Sequence, residues 1–479
     1  MRMAEAVAHV LDEPSRPPDR AELPGSGSRI HLVGVAGAGM RGLAKLLTED
    51  GYRVSGCDAG GAGGMGELTD LGVELTAGHD PEHVELADLV VYSAAVPEEA
   101  PELTAARSSG VPVLKRARAL GAFLSDRLVV GISGTHGKTT ITAMTGIVCE
   151  AGGLEPMVVV GGRVDRWNGF AHTGGGEIAI VEADEYDRSF LQLDPSLAVV
   201  SSLEPEHLDI YGSLDALREA YAQFAAPAVA RHGVLYCEDE PGARELGREL
   251  GSDLSYGFSE DAAYRVLTLP EKDGGNGGQR CRLEYPHGAF EFKLAAPGRH
   301  NVQNAASALA VALRLGADPD DVRAGLVGFE GVARRLQILA DRNGIAVVDD
   351  YAHHPTEVRA SIQALRERFG GRRLVIVFQP HLYSRTRDFA NEFAAELAAA
   401  DAAYVLPIYP SRERPIEGVT ASLITRAGPA SVAEADASAV PALVTAARQP
   451  VVFAFLGAGD VTELAARAAE QVPDDAVGA

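Results

Sequence analysis

The segment Leu128-Val-Val-Gly-Ile-Ser-Gly-Thr-His-Gly-Lys-Thr-Thr140 leads from an apolar run through a glycine-rich turn into a helix-like run, Ile141 to Glu150. This order is typical of a phosphate-binding loop, whose backbone N–H groups and helix N-terminus surround phosphate oxygens. Lys138 is expected to reach the β- and γ-phosphates, and the Thr139 hydroxyl to bind Mg²⁺. Because Ile132 stands where the usual spacing has its first glycine, a glycine-rich turn with a surface lysine is the alternative. We predict a nucleoside triphosphate site at Gly134, Thr135, His136, Gly137, Lys138, Thr139 and Thr140.

Carboxylates follow the next buried strand pattern. The apolar run Ile178 to Val181 leads into Glu182, Asp184 and Glu185, and the later strand pattern Leu197 to Ser202 is followed by His207. Acidic groups at the end of a strand parallel to the phosphate-loop strand are where nucleotidases hold Mg²⁺. The sequence therefore favours a metal site here. A solvated strand end and an ordinary loop histidine are the alternatives.

A second nucleotide-like pattern precedes the loop. A strand pattern over Ile30 to Val35, a turn with Gly37 and Gly39, a helix over Met40 to Glu49 and a strand that ends near Asp58 form nearly a dinucleotide-binding unit. The third glycine is displaced, so this pattern indicates a nucleotide-type diphosphate at a helix N-terminus and not specifically NAD. An NAD-dependent oxidoreductase is one alternative function, but it leaves the phosphate loop unexplained.

The C-terminal third alternates strand and helix patterns, which predicts a further doubly wound parallel sheet. Polar clusters end its strands, at Asp350-Tyr-Ala-His-His-Pro355 and at Gln379-Pro-His381. Ahead of this region a helix is predicted to open near Pro297 and to carry Asn301 and Asn304 on one face. Their amides suit a nucleobase edge, and plain capping of the helix is the alternative.

Composition limits the class of function. The 479 residues carry a formal net charge of −24, which disfavours non-specific binding to nucleic acid or to anionic membranes. The four cysteines show neither a C-x-x-C pair nor zinc-type spacing, no apolar run reaches the ~18 residues of a membrane span, and no signal-peptide pattern opens the chain. We expect a cytoplasmic protein with no membrane or nucleic-acid partner.

The patterns predict an α/β fold of three domains after a tail. We expect a disordered tail over residues 1–27, a Rossmann-like domain over 28–125, a central P-loop ATPase-type domain over 126–332 and a C-terminal Rossmann-like domain over 333–479.

These motifs together resemble those of the Mur ligases of bacterial cell-wall synthesis, over residues ~29 to 460. The matching segments are Gly134 to Thr140, Glu182 to Glu185, His207 to Asp209, His300 to Asn304, Asp350 to Pro355 and Gln379 to Thr386. The histidine inside the phosphate loop and the His-His-Pro turn are typical of the member that adds L-alanine to UDP-N-acetylmuramate. The resemblance implies ATP and Mg²⁺ as cofactors and the formation of an amide bond through an acyl phosphate. It also implies that the protein is a monomer or a weak homodimer.

The resemblance also implies roles for individual residues. Lys138 would hold ATP phosphates; Thr139, Glu182 and His207 would serve Mg²⁺; Asn301 and Asn304 would lie near adenine. Catalytic or positioning roles toward alanine and the reacting phosphate would fall to Arg335, Asp350, Tyr351, His353, His354 and Arg385. The UDP-sugar would meet Gly37, Gly39, Met40, Gly42 and Asp58. A recycling ligase that attaches a tripeptide to the same nucleotide sugar and a non-catalytic nucleotide-binding protein are the remaining alternatives.

Overall fold

A computed structural model describes residues 17–61, 63, 65–270, 278–329, 331–411, 413–447 and 450–473, with the backbone alone at 208–209. Its strands are β1 (Arg29–Val33), β2 (Arg53–Asp58), β3 (Glu74–Ala77), β4 (Leu89–Tyr92), β5 (Val113–Lys115), β6 (Leu128–Ser133), β7 (Met157–Val164), β8 (Gly169–His172), β9 (Ile178–Glu182), β10 (Leu197–Val200), β11 (Gly233–Cys237), β12 (Ser255–Gly257), β13 (Tyr264–Leu269), β14 (Gln279–Tyr285), β15 (Gly288–Leu294), β16 (Gln337–Arg342), β17 (Ile345–Asp350), β18 (Arg373–Phe378), β19 (Ala402–Val405), β20 (Val432–Glu434) and β21 (Val451–Leu456).

Its α-helices are α1 (Ala38–Glu49), α2 (Gly66–Asp70), α3 (Pro101–Ser109), α4 (Arg116–Leu124), α5 (Lys138–Ala151), α6 (Leu208–Tyr211), α7 (Leu214–Val229), α8 (Pro241–Glu249), α9 (Arg299–Arg314), α10 (Pro319–Val327), α11 (Pro355–Arg368), α12 (Tyr383–Leu397), α13 (Ser422–Ala427), α14 (Val440–Thr445) and α15 (Val461–Glu470). Short 3₁₀ helices cover Arg20–Glu22, Pro81–Val84, Asp165–Trp167, Tyr186–Gln192 and Ala437–Ala439.

The first sheet is parallel, in the order β3-β2-β1-β4-β5. The strand order reverses between β1 and β4, and in such open sheets ligands bind beyond the carboxyl ends of the strands at this reversal. The turn after β1 therefore lies at the place where a nucleotide is expected.

The second sheet has ten strands in the order β15-β14-β13-β12-β11-β10-β6-β9-β7-β8. The phosphate-loop strand β6 lies between β9 and β10 and is parallel to both, so the residues that follow all three strands meet at one edge. The sequence-based prediction that β9 runs parallel to β6 is confirmed.

The third sheet has the order β16-β17-β21-β18-β19-β20. It is parallel except for β16, which pairs antiparallel with β17. Apolar residues are buried on both of its faces, which explains why β17, β18 and β21 read as continuous apolar runs. The three sheets with their helices confirm the predicted α/β fold class.

The chain separates into two compact units, one made of residues up to 266 with 283–290 and 306–325, the other of 267–282, 291–305 and 326–479. The predicted domain boundaries stay predictions. Among the described residues, no helix is both long and apolar enough to cross a bilayer.

Two expectations were wrong. The predicted tail extends too far, because residues 17–27 include a capped 3₁₀ helix whose Glu22 pairs with Arg118 at 2.5 Å. The first 16 residues lie outside the described ones. The sequence pattern from Val234 to Leu294 predicts alternating short strands, but α8 interrupts them. This helix begins with Pro241 and buries Ala243, Leu246 and Gly247 at helical spacing.

Candidate active site

The loop after β6 adopts the backbone of a phosphate-binding turn. Gly137, the residue before α5, has φ +83°, a backbone conformation in which an L side chain is strained. A Cβ on Gly134 would lie 2.0 Å from Ser201 Oγ, so only glycine fits there. The first-turn N–H groups of α5 lack partners within the helix and are therefore available for an anion.

The other loop side chains hold the turn in place. The backbone N–H of His136 donates to Ser202 Oγ at 2.8 Å, and the ring Nε2 lies 3.1 Å from Glu204 Oε2. Thr135 Oγ1 accepts from Glu204 N at 2.9 Å, and Thr140 is buried in the first turn of α5. These contacts tie the loop to the segment after β10, which sequence reasoning did not identify as a support.

Lys138 is enclosed by oxygen atoms. Its Nζ donates to Gly134 O at 2.6 Å and lies 2.8 Å from Glu185 Oε2. Burial disfavours the ammonium, but the carboxylates of Glu185, Asp184 and Glu206 outweigh burial and raise the pKa of Lys138 above its usual value. The cation is therefore held in the loop, where it can meet phosphate oxygens.

Thr139 and Glu182 form the first oxygen pair predicted for Mg²⁺. Thr139 Oγ1 donates to Glu182 Oε1 at 2.9 Å, and Gly161 N donates to Glu182 Oε2 at 2.6 Å. Mg²⁺ prefers hard oxygen ligands such as a hydroxyl and a carboxylate. Because the two groups follow neighbouring parallel strands, the sequence could predict this pair.

His207 lies in a second group. Its Nε2 is 4.0 Å from Glu185 Oε1 and 3.9 Å from Glu206 Oε1, and the backbone has φ +52°. Burial raises the pKa of Glu185 to about 7, with Asp184 and Glu206 adding to the shift and Lys138 opposing it. So many carboxylates around one lysine suit a divalent cation. Glu185 belongs to the run of carboxylates for which the sequence favours a metal, whereas Glu206 was not predicted as a metal ligand.

The turn after β1 is braced by Asp58, the acidic residue at the end of β2. Its carboxylate accepts from Ala36 N at 3.1 Å and from Gly60 N at 2.9 Å. Gly37 precedes α1 as its N-cap residue. Met40 is buried, and a Cβ on Gly42 would lie 3.2 Å from Phe170 O. The structure thus gives Met40 and Gly42 packing contacts; their contact with a nucleotide sugar stays a prediction.

Arg116 is a cation at this turn that sequence reasoning missed. A Cβ on Gly39 would lie 2.7 Å from Arg116 Nη1, so the guanidinium lies against the first turn of α1. The nearer arginine in sequence, Arg41, instead pairs with Glu67 at 3.0 Å and lies 5.2 Å from the Phe170 ring centre. A helix N-terminus together with a guanidinium is suited to a diphosphate.

In the C-terminal unit, two arginines lie over one tyrosine. The guanidinium carbons of Arg334 and Arg335 are 4.8 and 5.1 Å from the Tyr351 ring centre. Arg334 also donates to Gly457 O at 2.7 Å and Gly459 O at 3.0 Å, whereas Arg335 Nη1 is 3.9 Å from Glu357 Oε1. Arg334 therefore supports the loop after β21, a role that sequence reasoning did not assign.

The histidines of the His-His-Pro turn differ in their contacts. His353 Nδ1 lies 2.8 Å from Tyr351 O, and its ring centre is 5.7 Å from that of His381. His354 is the N-cap residue of α11, where its Nδ1 accepts from Thr356 N, and its ring packs edge-on against Phe389. Arg385 is buried near the start of α12. Their catalytic roles stay predictions.

Asn301 and Asn304 are buried on one face of α9, as predicted from their spacing. Asn301 Nδ2 donates to Pro297 O at 2.7 Å, and Asn304 Nδ2 lies 3.5 Å from Asn301 Oδ1. Since α9 begins at Arg299, neither is the N-cap residue. Recognition of adenine by these amides stays a prediction.

Asp350 should make the free energy of unfolding depend on pH. Burial raises its pKa to about 6, although Arg335 and hydrogen bonds from Ala352 N and Ser361 Oγ oppose the shift. The folded chain then keeps a proton that the unfolded chain releases near pH ~4. The free energy of unfolding should therefore fall by about 2 kcal/mol as pH rises from ~4 to ~6.

Asp350→Asn keeps the shape of the side chain and removes this titration. Denaturant unfolding across that pH range should show a smaller loss of stability in the variant than in the wild type. An identical loss in both proteins would contradict the assignment.

Comparison with known proteins agrees with this arrangement of sheets and loops. The chain matches three family descriptions: "Mur ligase family, catalytic domain" over residues 29–127, "Mur ligase middle domain" over 132–312, and "Mur ligase, glutamate ligase domain" over 334–461. It is 41% identical to a UDP-N-acetylmuramate–L-alanine ligase of Chlorobaculum tepidum, over 92% of this chain and 95% of that protein. The chain belongs to the Mur ligase family.

Other relatives support the same membership. A UDP-N-acetylmuramate–L-alanine ligase of Thermobifida fusca is 43% identical over 96% of this Mur ligase and 99% of its own length. The crystal structure of a UDP-N-acetylmuramate–alanine ligase from Thermotoga maritima superposes with a TM-score of 0.77 at 28% identity, covering 93% of this chain and 99% of that one. A murein peptide ligase from Psychrobacter arcticus shares the fold. It superposes with a TM-score of 0.67 at 21% identity, covering 93% of this chain and 98% of that one.

Proposed function

We propose that this chain joins L-alanine to the carboxylate of UDP-N-acetylmuramate in peptidoglycan synthesis, converting ATP to ADP and phosphate. The observation that carries the proposal is the identity of about two residues in five, over nearly the whole chain, with relatives named for this reaction. The loop at Lys138 and the oxygen pair of Thr139 with Glu182 supply the groups that the ATP step needs.

The chemistry proceeds in two steps. A substrate carboxylate oxygen attacks the γ-phosphorus of ATP, the bond to the β–γ bridging oxygen breaks, and an acyl phosphate and ADP form. The amine of L-alanine then attacks the acyl carbon, loses a proton, and phosphate leaves. Phosphoryl transfer depends mainly on positioning and charge neutralisation. Bound Mg²⁺ would supply part of that neutralisation.

The residues of each unit are assigned as follows. Lys138 and the first-turn amides of α5 hold ATP phosphates, while Thr139 and Glu182 form one Mg²⁺ site and His207 with Glu185 and Glu206 a second. We assign Arg335, Tyr351, His353 and Arg385 to alanine and the reacting phosphate, and Asn301 with Asn304 to adenine. His354 acts by capping α11.

Phosphate release from ATP and Mg²⁺ tests the proposal. Release should require both UDP-N-acetylmuramate and L-alanine and should be weak with glycine, L-serine or the tripeptide L-alanyl-γ-D-glutamyl-meso-diaminopimelate. Release with the tripeptide alone would identify a recycling ligase. ATP binding without release in any mixture would favour a non-catalytic nucleotide-binding protein.

The same proposal covers partners and location. We infer a cytoplasmic monomer or weak homodimer that acts on small molecules and binds neither nucleic acid nor membrane, since the net charge is −24. The four cysteines are buried and free, which suits a reducing compartment. Sedimentation over a range of protein concentrations tests the oligomeric state.

Arg116 should matter for the nucleotide sugar. A charge-assisted hydrogen bond to phosphate is worth about 1.5–3 kcal/mol, so Arg116→Ala should raise the KM for UDP-N-acetylmuramate by about 10- to 100-fold and leave the KM for ATP nearly unchanged. Arg107→Ala is the matched control, because Arg107 is exposed on α3 and bonds Glu98 O at 2.8 Å. Equal effects of the two substitutions on this KM would refute the assignment.

A further inference from the structure

A second group of chemically reactive side chains lies in the N-terminal sheet, outside the proposed ligase site. It contains one thiol, three imidazoles and one carboxylate: Cys57, His31, His79, His83 and Glu102. We call these five residues the Cys57 cluster. His31 lies on β1 and Cys57 on β2. His83 lies in the 3₁₀ helix Pro81–Val84, and His79 comes just before the N-cap residue of that helix. Glu102 lies in the first turn of α3.

The fold brings the cluster together by strand register. His31 is paired with Ser55 across β1 and β2, and Cys57 follows two residues later, hence on the same face of the sheet. His31, Cys57 and Glu102 are buried, His83 is half-buried, and His79 reaches the surface. A metal ion would therefore have an open path from solvent to a buried thiol.

The contacts within the cluster are close. Cys57 Sγ lies 3.4 Å from His31 Nε2, 3.3 Å from Glu102 Oε1 and 3.8 Å from His79 Nδ1. Glu102 Oε1 lies 3.0 Å from His79 Nδ1 and 3.4 Å from His83 Nδ1. Cys57 belongs both to a group with His31 and His83 and to a group with His79 and Glu102, in each of which all three ligand atoms lie within 4.8 Å of one another.

These separations match those around tetrahedral zinc. Bond lengths of about 2.3 Å to sulfur and about 2.0–2.2 Å to nitrogen and oxygen place neighbouring ligand atoms about 3.3–3.6 Å apart. The distances from His31 to Cys57 (3.4 Å), from Cys57 to Glu102 (3.3 Å) and from Glu102 to His83 (3.4 Å) lie in that range. Thiolate and imidazole are ligands for Zn²⁺ and related transition metals, not for Mg²⁺.

The carboxylate of Glu102 also points to a cation. Within the part of the chain that the structure describes, the buried Glu102 Oε2 has no hydrogen-bond partner. The hydrogen bonds of the cluster to Glu102 all go to Oε1, so a cation shared by both carboxylate oxygens would satisfy Oε2.

We propose that the Cys57 cluster is a Zn²⁺-class binding site, with Cys57, His31, His83 and Glu102 as ligands. His79 and the Asp80 N–H, which both bond Glu102 Oε1 at 3.0 Å, orient the carboxylate. On binding, the Cys57 S–H bond breaks, its proton goes to solvent, and sulfur bonds the metal with no change of oxidation state. The carbonyl of Cys57 accepts from Gly34 N and Val35 N, so the metal would brace the glycine turn after β1.

Cobalt(II) is used in place of zinc because its absorption spectrum shows which kinds of ligand bind it. The full-length chain, with excess Mg²⁺ and ATP to fill the proposed ligase site, is titrated with Co²⁺ and then with Zn²⁺. We expect a sulfur-to-cobalt charge-transfer band and tetrahedral d–d bands at about one metal per chain, displaced by zinc. No cobalt band in the wild type would overturn the proposal.

Three variants localise the site. Cys57→Ser should abolish the charge-transfer band, and His83→Gln, at a half-buried position that tolerates the change, should weaken zinc binding at least about 10-fold. Cys281→Ser, a buried cysteine on β14, is the matched control and should keep the band. An unchanged band in Cys57→Ser, or wild-type zinc affinity in His83→Gln, would refute the assignment. These readouts are independent of ligase activity.

Discussion

Replacing Lys138 by alanine is expected to lower ATP-dependent phosphate release at least about 10³-fold. The lysine Nζ is held between Gly134 O and the Glu185 carboxylate, within the turn whose amides we propose to bind the ATP phosphates. No other side chain of that turn carries a permanent positive charge. Release of phosphate in the presence of both substrates measures the effect, and binding of a fluorescent ATP analogue shows whether nucleotide affinity falls with it.

A matched control and a double variant separate the two roles of Lys138. Lys293→Ala removes an exposed lysine on β15 and should leave activity unchanged. Lys138→Ala also leaves Glu185 buried beside Asp184 and Glu206 without its counter-ion, which destabilises the loop. Lys138→Ala with Glu185→Gln relieves that repulsion, so it should recover thermal stability while activity stays lost. Recovery of activity in the double variant would mean that Lys138 only neutralises Glu185.

The elements around the phosphate loop were predictable because their signals are local. Continuous apolar runs mark β6, β9 and β10, and parallel strands end at one edge of a sheet. Thr139 and Glu182 could therefore be paired from sequence alone. The same logic predicted the strand that ends at Asp58, whose carboxylate accepts from the backbone N–H groups of Ala36 and Gly60.

Other contacts depend on backbone details that carry no periodic signal. Glu185 meets Lys138 just before a 3₁₀ segment in which Asp187 and Arg188 adopt positive φ, and His207 meets Glu185 with φ +52°. Arg116 reaches Gly39 from a helix two strands away along the sheet. Such positions are fixed by tertiary packing and cannot be predicted from the spacing of residues in the sequence.

The Cys57 cluster is another set of contacts that the sequence does not predict. Zinc sites are recognised in sequence by closely spaced pairs of ligands, and the chain has no such cysteine pair. Here the ligand types come from four different elements, so only strand register and the position of α3 bring them together. His79 and His83 are four residues apart, but no spacing rule could have joined them to His31, Cys57 and Glu102.

Glu182→Gln is expected to raise the Mg²⁺ concentration needed for half-maximal activity by about 10- to 100-fold and to lower turnover by about 10²-fold. Glutamine keeps the size of the side chain but carries no charge and has one oxygen instead of two. The Thr139 hydroxyl or the Gly161 N–H then loses its acceptor. The stability of the fold should change less than the metal requirement, because the replaced side chain keeps its packing.

A Mg²⁺ titration of phosphate release at saturating ATP and substrates measures the shift. Glu177→Gln, an exposed change just before β9, removes the same charge from the opposite end of the strand and controls for net charge. Excess Mg²⁺ should restore part of the activity of Glu182→Gln, since a weakened metal site fills at higher concentration. Identical Mg²⁺ curves for wild type and Glu182→Gln would remove Glu182 from the metal site and leave Glu185, Glu206 and His207 as its ligands.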